Sequence, residues 1–277
     1  MMGMGGGKMK VFIHTDLEGI SGGFFDWAEA EMRMGRGIGY TREILTQEVN
    51  AAAQGILEAD PSAEVVVEDG HGGGYWGPNI LCERLDPRVR LLVGKFNRHL
   101  VSIDRGYGLF MMVGAHSMAG TPQGLMNHTL SAAKYLNFLI NGVTVGEIGI
   151  CTAIAGYYGV PLAMVSGDHW AVLEARTLQP NVRGASVKKG ISRYNAECVA
   201  TEAACGMIRE AAREAVANAG EFRPYVVEGD VKVRIDYMQT DQADDSELKR
   251  GARRLDGRSV QFEGTDLIEV LSRFVTT

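Results

Sequence analysis

Val11, Phe12 and Ile13 form a short apolar run after Lys10, and the chain then breaks into Thr15-Asp16-Leu17-Glu18-Gly19-Ile20-Ser21-Gly22. An apolar run that gives way to acids and glycines is the pattern of a buried β-strand delivering polar groups to the C-terminal end of an α/β sheet. The pattern returns at 63–68, which runs into Glu68-Asp69-Gly70-His71-Gly72-Gly73-Gly74, and at 109–113, which runs into Gly114-Ala115-His116-Ser117. Shorter runs at 89–93 and 161–165 predict two more strands, the latter followed by Ser166-Gly167-Asp168-His169. Helical spacing separates them: Leu45, Val49, Ala52 and Ile56 make one stripe of a helix over 41–59 that Asp60-Pro61 stops. Right-handed βαβ connections gather such strand ends along one edge of a sheet.

Asn141-Gly142 between two apolar runs predicts a β-hairpin over 135–145 with a type I′ turn. A buried helix over 148–158 follows, with Gly159 as its exit, and then a helix over 170–178. Cys205, Ile208, Ala212 and Val216 line one side of a long helix, capped by Ser192 and ended by Gly220. Beyond Pro224 the pattern predicts strands at 225–227, 231–237 and 259–262 and helices at 247–254 and 266–274. The expected architecture is therefore α/β: a three-layer domain over 9–185 with a mostly parallel sheet and a metal site at its rim. Residues 186–277 add the long helix and a smaller α+β subdomain. The connection over 19–39 carries Phe24, Phe25, Trp27, Met32 and Met34, suited to covering a site or packing on a neighbouring subunit.

Composition narrows the class. With 277 residues, 45% hydrophobic and 22% charged, the chain can bury a substantial core, and a net charge of -6 disfavours nucleic acid as a partner. The glycine-rich 1–8 segment lacks a signal-peptide core and no apolar run reaches membrane-spanning length, so the expectation is a cytoplasmic protein with no membrane partner. Cys82, Cys151, Cys198 and Cys205 form no CxxC unit and read as small hydrophobes in a reducing compartment.

The chemistry concentrates at the strand ends. In extended backbone Asp16 and Glu18 face one way, where their like charges oppose each other unless a proton or a cation intervenes. His71, His116 and Glu147 complete a nitrogen and oxygen donor set suited to zinc, with manganese, cobalt or iron as alternatives, and sufficient for two ions if a carboxylate bridges them. Such a pair activates water and polarises a carbonyl or phosphoryl oxygen. Each residue also has an ordinary use: Asp16, Glu18 and Glu147 as helix caps, His116 as a satisfied core histidine, His71 and His128 as loop residues. His14 reads as buried beside the sheet, Asp168 and His169 as either a site pair or a cap, and Lys188-Lys189 as an anion-binding pair or a solvated turn; His99 suggests no role. Gly19-Ile20-Ser21-Gly22-Gly23 lacks GxGxxG and Gly70-His71-Gly72-Gly73-Gly74 lacks the Walker lysine and serine or threonine, leaving amide hydrolysis, phosphoester hydrolysis and non-enzymatic metal or small-molecule binding as the classes to separate.

Taken as an ordered set, these motifs resemble the zinc D-aminopeptidase family, whose known member cleaves D-alanyl dipeptides. The set comprises Thr15-Asp16-Leu17-Glu18-Gly19-Ile20-Ser21-Gly22, Glu68-Asp69-Gly70-His71, Val113-Gly114-Ala115-His116, Thr121-Pro122, Gly124-Leu125-Met126-Asn127-His128, Val145-Gly146-Glu147-Ile148-Gly149, Ser166-Gly167-Asp168 and Val187-Lys188-Lys189-Gly190-Ile191-Ser192-Arg193. The resemblance implies that Asp16, Glu18, His71, His116 and Glu147 bind two zinc ions per subunit, with Mn2+ or Co2+ as substitutes and Asp16 as the bridge. It implies His128 as the catalytic histidine, a short peptide or small amide as substrate, and a homodecamer of stacked five-membered rings. The chain departs from the family pattern over 22–39, at Gln123 and in its tail, the regions expected to shape substrate preference.

Overall fold

The computed structural model describes residues 8–22, 37–71, 78–94 and 100–275. The aromatic and methionine residues between 24 and 34, the glycines at 72–74 and His99 lie outside the described residues. The fold is α/β with two sheets. Seven strands, β1 (Lys10–Thr15), β2 (Glu64–Glu68), β3 (Val89–Leu92), β4 (Leu109–Ala115), β7 (Leu162–Asp168), β8 (Arg183–Ser192) and β9 (Asn195–Cys198), make the first sheet in the order β3-β2-β1-β4-β7-β8-β9. All its pairings are parallel except β8 with β9. The second sheet is antiparallel and five-stranded. It runs β11 (Ala252–Arg254), β12 (Ser259–Gly264), β10 (Val231–Tyr237), β5 (Tyr135–Ile140) and β6 (Val143–Thr144).

Period-two alternation divides the core. Val11, Ile13, Val65, Val67, Met111 and Val113 face one way and pack with Leu45, Val49 and Ile56 of α1 (Gly37–Ala59) and Ile208, Ala212 and Val216 of α4 (Thr201–Ala217). Phe12, Phe110, Met112 and Val165 face the other way, against α2 (Glu147–Tyr157), α3 (His169–Leu178) and second-sheet residues Phe138, Val233 and Phe262. Burial on both faces explains the near-continuous apolar runs of β1, β4 and β7, since parallel strands covered on both sides have no solvated alternate positions. α5 (Thr240–Glu247) and α6 (Leu267–Val275) accompany the second sheet.

Three local expectations are overturned. Ser192 ends a strand rather than capping the long helix, which begins at Thr201 after Ala200 with no side-chain cap. The β8–β9 hairpin escapes the apolar pattern because Gly184, Gly190, Ser186 and Lys188 occupy positions where strands usually carry branched side chains. Residues 225–227 pair with no strand; the Tyr225 backbone instead packs on Gly156, where an added Cβ would lie 1.8 Å from the Tyr225 carbonyl oxygen. Finally, 247–254 is the end of α5 followed by β11, because the capping box of Gln239 and Gln242 starts that helix earlier.

Strand β1 has β2 on one side and β4 on the other, so the connections leave it in opposite directions. A crevice outside the carboxyl ends of the strands is expected at that switch point. All four cysteines are free, Cys151 buried and Cys82 exposed, and no described helix is long and apolar enough to cross a membrane.

Candidate metal centre

Immediately after β1 the chain is clasped by the end of β4: the Asp16 amide donates to the Val113 carbonyl at 2.9 Å and the Gly19 amide to that of Gly114 at 2.8 Å. Gly114 has φ +82, and a Cβ there would lie 2.0 Å from the Asp16 carbonyl oxygen, so only glycine admits this approach. The register of β4 against β7 shifts between Met112 and Ala115, a bulge that re-aims the chain just before His116.

These devices bring the sequence-predicted side chains together. Asp16 Oδ1 lies 2.8 Å from His71 Nδ1, and Glu18 Oε2 lies 3.2 Å from the same nitrogen. The other Asp16 oxygen, Oδ2, lies 3.3 Å from His116 Nε2, which is 3.2 Å from Glu147 Oε1. Asp16 therefore belongs to two groups, one with Glu18 and His71 and one with His116 and Glu147, each with ligand atoms mutually within 4.8 Å. His128 joins Glu18 and His116 in a third such group. Its ring stacks on that of His116 at 4.1 Å and 9°, and its Nε2 stands 3.8 Å from Glu18 Oε1 and 3.7 Å from Glu147 Oε1.

The donor set fits divalent cations on two counts. Glu18 Oε2 is buried with no hydrogen bond, although His71 Nδ1, which faces Asp16, stands 3.2 Å away. His116 Nδ1 lies 2.9 Å from the Ser117 carbonyl, so the ring donates there and turns Nε2 toward the acids as a ligand atom. Without a cation, protons must balance the three carboxylates. Burial opposes charge on His71, yet Glu18 and Asp16 together push it up to about 10. Burial is likewise overcome at His116 by Glu147 and Asp16, which hold it well above the usual imidazole range. The reciprocal effect overrides desolvation at Glu147, where His116 pulls the carboxyl down to about 2, and at Glu18, where His71 lowers it. A buried acid cluster whose carboxylates push His71 and His116 toward the charged form has the composition of a site for cations.

Several supporting residues went unrecognised in the sequence. Lys188 is buried and its Nζ donates to the Glu18 carbonyl at 2.8 Å, so it is neither a solvated turn nor a free anion-binding group. Glu48 of α1 accepts from the Ser21 amide at 2.7 Å, and burial raises its carboxyl to about 7. Glu174 of α3, also raised to about 7 by burial, accepts from the Met118 amide at 2.8 Å, two residues beyond His116. Asp69 accepts from both nitrogens of Asn79, whose amide also reaches the His71 carbonyl, closing the loop that carries that histidine. Both glutamates occupy apolar-stripe positions, between Leu45 and Ala52 and between Ala171 and Leu178, a signal present in the helical spacing.

His14 pairs with Glu68 at 2.7 Å behind the cluster and is buried as expected. A Cβ on Gly70 would lie 2.1 Å from its ring, which makes the residue before His71 obligatorily glycine. Asp168 caps no helix with its side chain; it accepts from the amides of Gly190 and Leu125 and so ties β8 to the His128 loop. His169 lies 3.5 Å from Ser186 Oγ and belongs to none of the three groups.

A family model described as D-aminopeptidase matches residues 9–276. The chain is 32% identical over 270 residues to a D-aminopeptidase of Bacillus subtilis (strain 168), a match covering 94% of this chain and 93% of that one. A solved structure, the Zn-dependent D-aminopeptidase DppA from Bacillus subtilis, a self-compartmentalizing protease, superposes with a TM-score of 0.88 at 31% identity. That superposition covers 97% of this chain and 96% of the other.

Proposed function

From the premise that the chain belongs to the D-aminopeptidase family and is a metal-dependent aminopeptidase, we propose that it removes the amino-terminal residue from short peptides at a dinuclear zinc centre. Asp16, Glu18 and His71 would hold one ion and Asp16, His116 and Glu147 the other, with Asp16 as the bridge. The observation that carries this reading is that the two Asp16 oxygens face different histidines. In this reading the centre lies at the rim of a three-layer α/β domain, over 9–185, where β1, β2 and β4 end. A peptide substrate of D configuration and a self-compartmentalizing assembly follow the relative, a D-aminopeptidase and self-compartmentalizing protease, and a ring-stacked decamer is the form that the resemblance implies.

When bound, the ions supply water activation at neutral pH and polarisation of the scissile carbonyl. The chain's own residues handle orientation and protons. His128 Nδ1 lies 2.7 Å from the Met126 carbonyl, so it donates there and leaves Nε2 as the nitrogen that exchanges a proton with the site. Stacking on His116 fixes the ring plane. In hydrolysis the amide C–N bond breaks, the water oxygen bonds to the carbonyl carbon, and one water proton reaches the departing amine. His128 Nε2 is the group placed to deliver it. Leu130 N donates to Glu147 Oε1 at 2.8 Å, which holds that carboxylate against rotation.

The test compares chelated and metal-restored protein on D- and L-dipeptides, amino-acid amides and a generic phosphoester. The expected result is dipeptide hydrolysis that disappears on chelation and returns with Zn2+, Mn2+ or Co2+. Phosphoester turnover without peptide turnover, or activity in fully chelated protein, would overturn the reading.

A further inference from the structure

Arg193 sits at the turn of the β8–β9 hairpin and is locked to the segment that carries His128. Its carbonyl accepts from the Met126 amide at 2.8 Å, and its Nη1 donates to both the main-chain and side-chain oxygens of Asn127, the latter at 3.0 Å. The main-chain oxygen belongs to the peptide unit that joins Asn127 to His128. Asn127 is itself fixed, its amide nitrogen donating to the carbonyls of Thr121 and Gly124 at 3.0 and 2.9 Å. The hairpin is anchored too, because Trp170 Nε1 donates to the Gly190 carbonyl and Asp168 accepts from the Gly190 amide.

What this scaffold holds still is an uncompensated cation. Arg193 is half-buried yet forms no ion pair with any described carboxylate; Nε and Nη2 have no protein acceptor among the described residues, and Tyr194 contributes only its ring at 5.7 Å. Of the other half-buried arginines, those at 183, 213, 234, 254 and 273 each have an acidic partner, and Arg42 of α1 alone shares the lack of one among the described residues. A guanidinium committed through one nitrogen keeps the planar edge that matches a carboxylate with two parallel hydrogen bonds. Fixing it in advance removes most of the side-chain entropy that such a contact otherwise costs.

We infer that Arg193 is a substrate-recognition residue that binds the free terminal carboxylate of a short peptide whose scissile amide lies at the metal centre. The inference rests on the aminopeptidase reading and extends it to a substrate class: peptides short enough to present their carboxylate beside the reacting amide, in preference to the same peptides with a blocked terminus.

The experiment compares D-alanyl-D-alanine with its carboxy-terminal amide in the zinc-loaded wild type and in Arg193→Met. The wild type is expected to favour the free acid at least tenfold in kcat/KM, mainly through KM, and the variant to bring that ratio at least fivefold closer to one. Arg193→Lys, which keeps charge without the fork, is expected to fall between them. A wild type indifferent to the carboxylate overturns the inference without any variant. Equal losses on both substrates in Arg193→Met also overturn it, since they would show that the residue acts only through Asn127 on His128. A dipeptide analogue with CH2–NH in place of the amide separates this inference from the reaction. Calorimetry should show its carboxylate form binding at least tenfold tighter than its amide form to wild type, even if no hydrolysis is found. Absence of turnover on either substrate counts against the aminopeptidase reading, whereas equal binding of the two analogue forms counts against Arg193.

Discussion

Where β1, β2 and β4 end in the first sheet, neighbouring carboxylates and imidazoles approach to 3.3 Å or less and are largely out of solvent; on the second sheet, Arg253 and Glu263 pair at the surface. Both regions join opposite charges at hydrogen-bond distance, but the surroundings differ. Water screens the exposed pair, whereas the buried groups pay a desolvation cost that their mutual attraction must offset. A fold gains little stability from burying three acids together. The contrast separates charge kept for chemistry from charge that only decorates a surface.

The strongest way to break the comparison is to remove a member of the buried cluster. His71→Ala deletes the nitrogen shared by Asp16 and Glu18, and should lower the affinity for one metal by more than about a hundredfold and abolish most hydrolysis. Metal content after dialysis, read beside single-turnover rates, checks this; full metal content with unchanged turnover would remove His71 from the centre. His128→Ala should act differently. Metal should stay bound while the chemical step slows by about 10²- to 10⁴-fold, since in the proposed mechanism the lost group exchanges protons and holds no ion. Equal single-turnover rates in wild type and variant would defeat that role.

Removing the metal instead of a residue exposes the cluster's own protonation. For His71, pushed from 6.5 to about 10, the stabilisation is fully present below 6.5 and lost as pH rises through 10. Glu147, pulled from 4.5 to about 2, contributes above 4.5 and loses its contribution as pH falls through 2. Glu48 and Glu174, raised from 4.5 to about 7 by burial, add stability below 4.5 that disappears as pH rises through 7. The metal-free protein should therefore melt highest near pH 4.5 and progressively lower toward pH 10. Zinc should flatten the alkaline side, since it needs the imidazoles without their protons. Melting curves across that range with and without chelator test both statements; an alkaline maximum in metal-free protein would contradict them.

The parts of this arrangement that show in the sequence are those that depend on short-range pattern. Strands β1, β2 and β4 announce themselves because burial on both faces demands unbroken apolar runs, and Asp16, His71 and His116 stand out because each follows such a run directly. The β5–β6 hairpin is local, but the pairing of β5 with β10 depends on contacts about a hundred residues apart, which no local periodicity encodes. The same holds for Lys188. Its side chain reads as exposed until β8 is placed beside β7 and its ammonium meets the carbonyl of Glu18, 170 residues away in the chain.

Lys188 also offers a smaller, sharper test of the buried side. Lys188→Met removes the donor to Glu18 while keeping most of the volume, and should weaken metal binding by about 10- to 100-fold, the range typical of groups that orient ligands. Since Lys188 also lowers the carboxyl of Glu48, part of any effect could come from a buried acid left without its cation. The double variant Lys188→Met with Glu48→Gln separates the two. Restored melting temperature with persistent metal loss assigns Lys188 to holding Glu18; restoration of both would reduce it to charge balance.

The smallest effect is expected on the other side of the comparison, and it decides whether the contrast is real. Arg253 and Glu263 meet at 3.3 Å across β11 and β12 with both side chains well exposed, at 64% and 48% of their full accessibility. Two long side chains must lose rotamer freedom to meet, and the solvent between and around them weakens the attraction. Arg253→Ala should consequently shift the melting temperature by less than about 2 °C, with hydrolysis rates and metal content unaltered. The shift should shrink further in high salt. A fall of more than about 5 °C would mean that the second sheet depends on its surface charges as the crevice depends on its buried ones, and the distinction between the two regions would no longer hold.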